Sequence, residues 1–174
     1  MNLYRPVLFV HVTAVIGVFA ALALEWLSSR YLRRAASYEE AREWTRVWSV
    51  LPAIGAPSLL IAFGSGVYLA SLLGAWELGW VTVAVPTLVA VGVAGGLTAP
   101  ARKRVRATLA SHAGGLSNDA RVQLRKALWA PSLRLRTTLL LGLVFEMTVK
   151  PDAGAWVMAV AVLIAVAWSV ATRS

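Results

Sequence analysis

Four ionisable side chains fall inside long apolar runs of this chain: His11, Glu25, Glu146 and Lys150. A charge at mid-bilayer costs about 2.5–3.5 kcal/mol on insertion scales, so each of these groups needs a partner or a wet cavity. Depth decides which could meet. His11 lies near the start of the first run, and Glu146 and Lys150 lie near the end of the fourth. Those two runs cross in opposite directions, so all three groups are expected at similar height, in the outer part of the bilayer. Glu25 stands 14 positions beyond His11 (25 minus 11), about 21 Å deeper at helical rise, within reach of Arg30, Arg134 or Arg136. The chemistry open to the outer group is specific. An imidazole can bind iron or shuttle protons, and an ammonium can hold a carboxylate. The plainer reading makes Glu146 and Lys150 an intrahelical i,i+4 ion pair, lets Lys150 snorkel to the headgroups, and makes His11 a hydrogen-bonding contact between packed helices.

The elements that must position these residues are membrane helices. With 59% hydrophobic and 14% charged residues in 174, the chain carries more apolar runs of span length than a soluble domain of this size could bury. Five spans are expected, over 6–29, 47–73, 78–100, 133–151 and 153–172, forming one all-α transmembrane bundle. Ala21-Leu22-Ala23 resembles a signal cleavage site, but the run around it is too long for a signal, so the first helix is expected to be retained. Pro52 and Pro57 should kink the second span. Ala62, Gly66 and Ala70 form a small-residue stripe suited to close helix contact, and Gly92 and Gly96 form a GxxxG. Ser37 followed by Glu40 is a capping-box pattern, so the second helix should start ahead of its apolar part.

Of the 17 Lys and Arg residues, all but Arg5 and Lys150 fall in the loops 30–46 and 101–130, around the start of the fourth span, or at the C-terminus. The positive-inside rule therefore predicts an outside N-terminus and an inside C-terminus. From Asn118 to Trp129 the apolar residues Ala120, Leu124, Ala127 and Leu128 recur opposite basic ones, which predicts a helix lying among anionic lipid headgroups. The positive charge sits between apolar spans, so nucleic acid is not an expected partner. The small-residue stripes suit a homo-oligomer. With no cysteine, thiolate metal sites and disulfides are excluded. The sequence shows no phosphate-binding loop, no paired metal ligands at helical spacing and no Ser/His/Asp set that could be placed at one depth.

An early His in the first helix, a basic loop, the FGSGVYLA stretch with Gly66, and a fourth helix closing in TVKP together resemble a group of small bacterial integral membrane proteins. The pattern is also distantly similar to the HemJ-type protoporphyrinogen oxidases and the copper-resistance D proteins. The likeness covers Leu3 to Pro151. It implies a bacterial cytoplasmic membrane location and a haem b or porphyrin-like ligand near the outer face. His11 would match the first-helix haem ligand, Lys150-Pro151 the closing Lys-Pro, and Arg136 the basic residue preceding the fourth helix. The candidate cofactor-binding residues are therefore His11, Glu146, Lys150 and Arg136, with His11 as the candidate metal ligand. The chain departs from that pattern in having no His in its third helix and RLRTT where an Asn-Glu-x-Pro is expected. A bundle that binds a hydrophobic small molecule, a small-molecule or ion transporter, and an assembly partner of a membrane complex are the functions these features admit.

Overall fold

The computed structural model describes residues 3–127 and 130–150, together with positions 160, 162–164 and 168. These residues fold as helices: α1 (Tyr4–Leu32), α2 (Tyr38–Leu72), a 3-10 turn (Ala75–Glu77), α3 (Gly79–Ala110), α4 (Asn118–Ala127) and α5 (Ala130–Val149). Among the described residues three helices, α1, α2 and α3, are long and apolar enough to cross a membrane. Helix α5 has 20 residues and carries Arg134, Arg136 and Glu146. The expected fifth span, 153–172, lies outside the described residues apart from the helical positions 160, 162–164 and 168.

At 29, 35 and 32 residues, the first three helices exceed what a bilayer needs. Their lengths come to about 44, 52 and 48 Å, against a hydrocarbon core of about 30 Å. The excess is gathered at one end of the bundle, where the basic residues are. There α2 begins at Tyr38, with Ser37 capping it: its Oγ accepts from the Glu40 backbone N–H at 3.2 Å. The Glu40 carboxylate reaches back to the Ala36 N–H at 2.8 Å, a reciprocal cap displaced by one residue. Helix α3 does not stop at Pro100 but continues to Ala110. Near this proline, Thr98 Oγ1 and Arg102 Nη2 both donate to the Gly95 carbonyl, at 2.7 and 3.2 Å. Side chains thus add donors one residue from the carbonyl that Pro100 leaves without its helical partner.

The linkers at this end are sewn together. Tyr38 N–H donates to Gly114 O at 2.9 Å, and Leu116 N–H donates to Ala36 O at 3.2 Å. Gly114 is in the left-handed region at φ +88, which glycine adopts without strain. Leu116 and Leu124 are buried in one cluster with Leu32, Tyr38, Trp48 and Leu109. Helix α4 is thus packed on protein through Ala120 and Leu124.

Within the bundle, the most extensive contact is between α1 and α2, followed by α3 with α5 and α2 with α3. Glycine permits the first of these: a Cβ on Gly17 would lie 2.3 Å from Ser58 Oγ. Large apolar side chains point outward from the bundle. Phe9, Leu60 and Leu97 are 72%, 71% and 66% exposed, the pattern expected of helices solvated by lipid tails.

Candidate functional site

His11 is carried on the buried face of α1, against the small-residue stripe of α2. Its Nδ1 lies 3.0 Å from the Ala62 carbonyl oxygen and 3.0 Å from Ser65 Oγ. A carbonyl only accepts, so Nδ1 carries the proton. The Ser65 hydroxyl donates to the Ile61 carbonyl, which leaves its oxygen to accept from the same imidazole N–H. The tautomer is thereby set, and Nε2 presents a lone pair with no hydrogen bond among the described residues. Gly66 makes the approach possible, since a Cβ there would lie 3.1 Å from His11 Cε1.

The histidine lines a partly open cavity of about 190 Å³ at the end of the bundle opposite the basic linkers. Tyr4, Phe63, Trp76, Trp80 and Lys150 line it too, and most of the remaining wall is aliphatic. Lys150 reaches it by leaving the helix. Its φ is +50, a left-handed conformation that ends α5 immediately before Pro151. Proline disfavours the right-handed helical conformation in the residue before it, which is why α5 stops ahead of Pro151. The ammonium then sits 5.6 Å from the centre of the Trp80 ring, a cation–π contact.

The ion pair expected between Glu146 and Lys150 is not formed. Lys150 keeps the helical backbone bond, its N–H donating to Glu146 O at 2.9 Å, but its φ of +50 sends the side chain over Trp80 instead. Glu146 is 0% exposed, and neither of its carboxylate oxygens has a hydrogen-bond partner among the described residues. It is absent from the cavity wall, although its neighbour Met147 is part of it. The structure thus brings His11 and Lys150 to one cavity and keeps Glu146 behind that wall.

Arg136 is elsewhere, at the basic end. Its Nη2 donates to Glu25 Oε1 at 2.7 Å, and Arg102 Nη1 donates to the same oxygen at 2.7 Å. Glu25 is buried, and the pairing with Arg136 agrees with the depth argument from sequence. Arg102 falls in the expected loop 101–130 and reaches Glu25 because α3 runs on through Pro100, which sets it two helical turns from Gly95. Nearby, Trp26 Nε1 donates to Thr137 Oγ1 at 2.9 Å, and Trp168 stacks on Trp26 with centroids 5.7 Å apart. His112 is at this end as well, stacked on Tyr38 at 5.3 Å, far from His11.

A haem is not accommodated by the outer cavity. The imidazole has the right form for an axial ligand, with Nδ1–H held by a carbonyl and Nε2 available. The space does not match: about 190 Å³ is below the roughly 300 Å³ at which pockets for drug-sized ligands begin. No group of three His, Cys, Asp or Glu residues able to hold a bare metal ion occurs among the described residues. Compared with family models, with curated proteins and with solved structures, the chain matches none.

Proposed function

We propose that this is a multi-pass protein of the bacterial cytoplasmic membrane that binds a compact, largely apolar molecule in the cavity beside His11. The observation that carries the reading is one imidazole nitrogen that has no partner among the described residues, in a wall of aromatic and aliphatic side chains. A neutral imidazole with Nδ1 occupied accepts at Nε2, so the preferred ligand carries a single hydroxyl or N–H donor on an apolar body. Lys150, at the rim against Trp80, adds a cation for a carboxylate or phenolate substituent. The distribution of Lys and Arg supports five spans with the N-terminus and this cavity on the outer side. The likeness to HemJ-type proteins, carried by His11, Gly66 and Lys150-Pro151, favours a redox-active aromatic as the ligand, though one smaller than a porphyrin.

Protein purified in mild detergent and searched by mass spectrometry for co-purifying small molecules tests this. An apolar compound retained by the wild type and lost from His11→Phe is the expected result. A compound retained equally by His11→Phe would refute the assignment of the ligand to this cavity.

A further inference from the structure

The cluster around Glu25 does not balance. One carboxylate meets two guanidiniums, Arg102 and Arg136, and both bind the same oxygen. Arg136 is 8% exposed, and its Nε is buried with no hydrogen-bond partner among the described residues. Its Nη1 lies so close to Gly95 that a Cβ added there would be 3.4 Å away. A surplus positive charge enclosed among apolar helices is costly unless an anion or water meets it.

Beside the cluster is a second cavity, of about 280 Å³, lined by Glu25, Arg102 and Arg136 at its charged end. Leu22, Leu59 and Leu140 line it as well, so the wall turns apolar away from the ions. Glycines keep the space open: Gly96 is part of the wall, and a Cβ there would meet nothing within 4 Å. A charged end and a greasy remainder select for a molecule divided in the same way.

We propose that the cavity bounded by Arg136, Arg102 and Gly96 binds an anionic amphiphile, its carboxylate or phosphate head against the two arginines and its apolar chain along the leucines. The site is at the basic end of the bundle and does not depend on the assignment of the cavity beside His11. The head completes the charge balance that Glu25 leaves short by one. The first part of the chain occupies the volume that glycine leaves on α3, and the rest leaves the partly open cavity for the surrounding lipid.

Equilibrium binding to the detergent-purified full chain, read by native mass spectrometry, tests this. Oleate and lysophosphatidate serve as the chain-bearing carboxylate and phosphate probes, and acetate and inorganic phosphate supply the same heads without a chain. Saturable one-to-one binding of oleate or lysophosphatidate is expected, and the tighter of the two identifies a fatty acid or a phospholipid-type head as the natural source. Arg136→Gln should weaken it at least about tenfold, the worth of a charge-assisted hydrogen bond. Because that variant also unsettles Glu25, Gly96→Leu provides the independent arm. It fills the cavity without touching the ions, should melt as the wild type does, and should lose binding by a similar factor. Glu25→Gln removes the competing negative charge and should hold or tighten the complex. Unchanged binding in both Arg136→Gln and Gly96→Leu overturns the proposal. So does displacement of the amphiphile by acetate or phosphate at equal concentration, since the chain would then contribute nothing.

Discussion

Removing the carboxylate of Glu25 should destabilise the protein more than removing either of its arginines. The two guanidinium nitrogens are each 2.7 Å from Oε1, so they can be at most about 5.4 Å apart. At an effective dielectric of about 20, two like charges at that separation repel by about 3 kcal/mol. Glu25→Ala exposes the arginines to this repulsion and also deletes two charge-assisted hydrogen bonds, each worth about 1.5–3 kcal/mol. A loss of at least about 4 kcal/mol follows, after allowance for relaxation of the partly exposed Arg102. Arg136→Met leaves Glu25 paired with Arg102 and should cost about 1.5–3 kcal/mol. The double variant Glu25→Ala, Arg136→Met relieves the repulsion and should be less destabilised than the sum of the single ones by about 2 kcal/mol or more. Reversible unfolding in mixed micelles, followed by helical circular dichroism, measures all three. A Glu25→Ala variant that loses under about 1 kcal/mol, or a cycle with no coupling, would show that water already screens these charges and that the reasoning from burial is wrong.

Two further variants probe the helix contacts. Gly66→Ala places a methyl 3.1 Å from His11 Cε1, where the ring is pinned by two hydrogen bonds. It should cost about 1–3 kcal/mol in the same unfolding assay and weaken retention of the outer-cavity ligand. Gly17→Ala should cost a similar amount, because its Cβ would lie 2.3 Å from Ser58 Oγ. Adding Ser58→Ala deletes that oxygen but leaves the Ser58 Cβ position 3.1 Å away, so it should recover part of the loss; no recovery at all would show that the oxygen is not what the methyl meets.

The features that were legible in the sequence are those fixed by local chemistry. Ser37 and Glu40 marked the start of α2 because a hydroxyl and a carboxylate three apart can satisfy the first free backbone donors of a helix wherever the fold places it. That Glu25 meets an arginine at the basic end is legible from depth, which leaves Arg30, Arg134 and Arg136 open; the side-chain geometry selects Arg136. The remaining features depended on partners that sequence does not order. Pro100 reads as a helix end, yet α3 runs through it, and this brings Arg102 onto Glu25. At Pro151 the opposite holds: α5 ends ahead of it, Lys150 turns over Trp80, and the ion pair that an i,i+4 spacing promises is not made. The amphipathic α4 shows a third limit, because a stripe containing Ala120 and Leu124 fits a lipid surface and a protein surface equally. The small residues at 62, 66 and 70 announced a close contact, but not that the group brought close would be an imidazole.

The arrangement of the two cavities across a membrane is tested most directly by thiol labelling in intact bacterial cells. The chain has no cysteine, so Glu77→Cys in the 3-10 turn and Ala113→Cys in the α3–α4 linker each create a single thiol. A membrane-impermeant maleimide should label position 77 from outside the cell and reach position 113 only after the membrane is opened. Labelling of position 113 in intact cells, with position 77 protected, would invert the bundle and contradict the account.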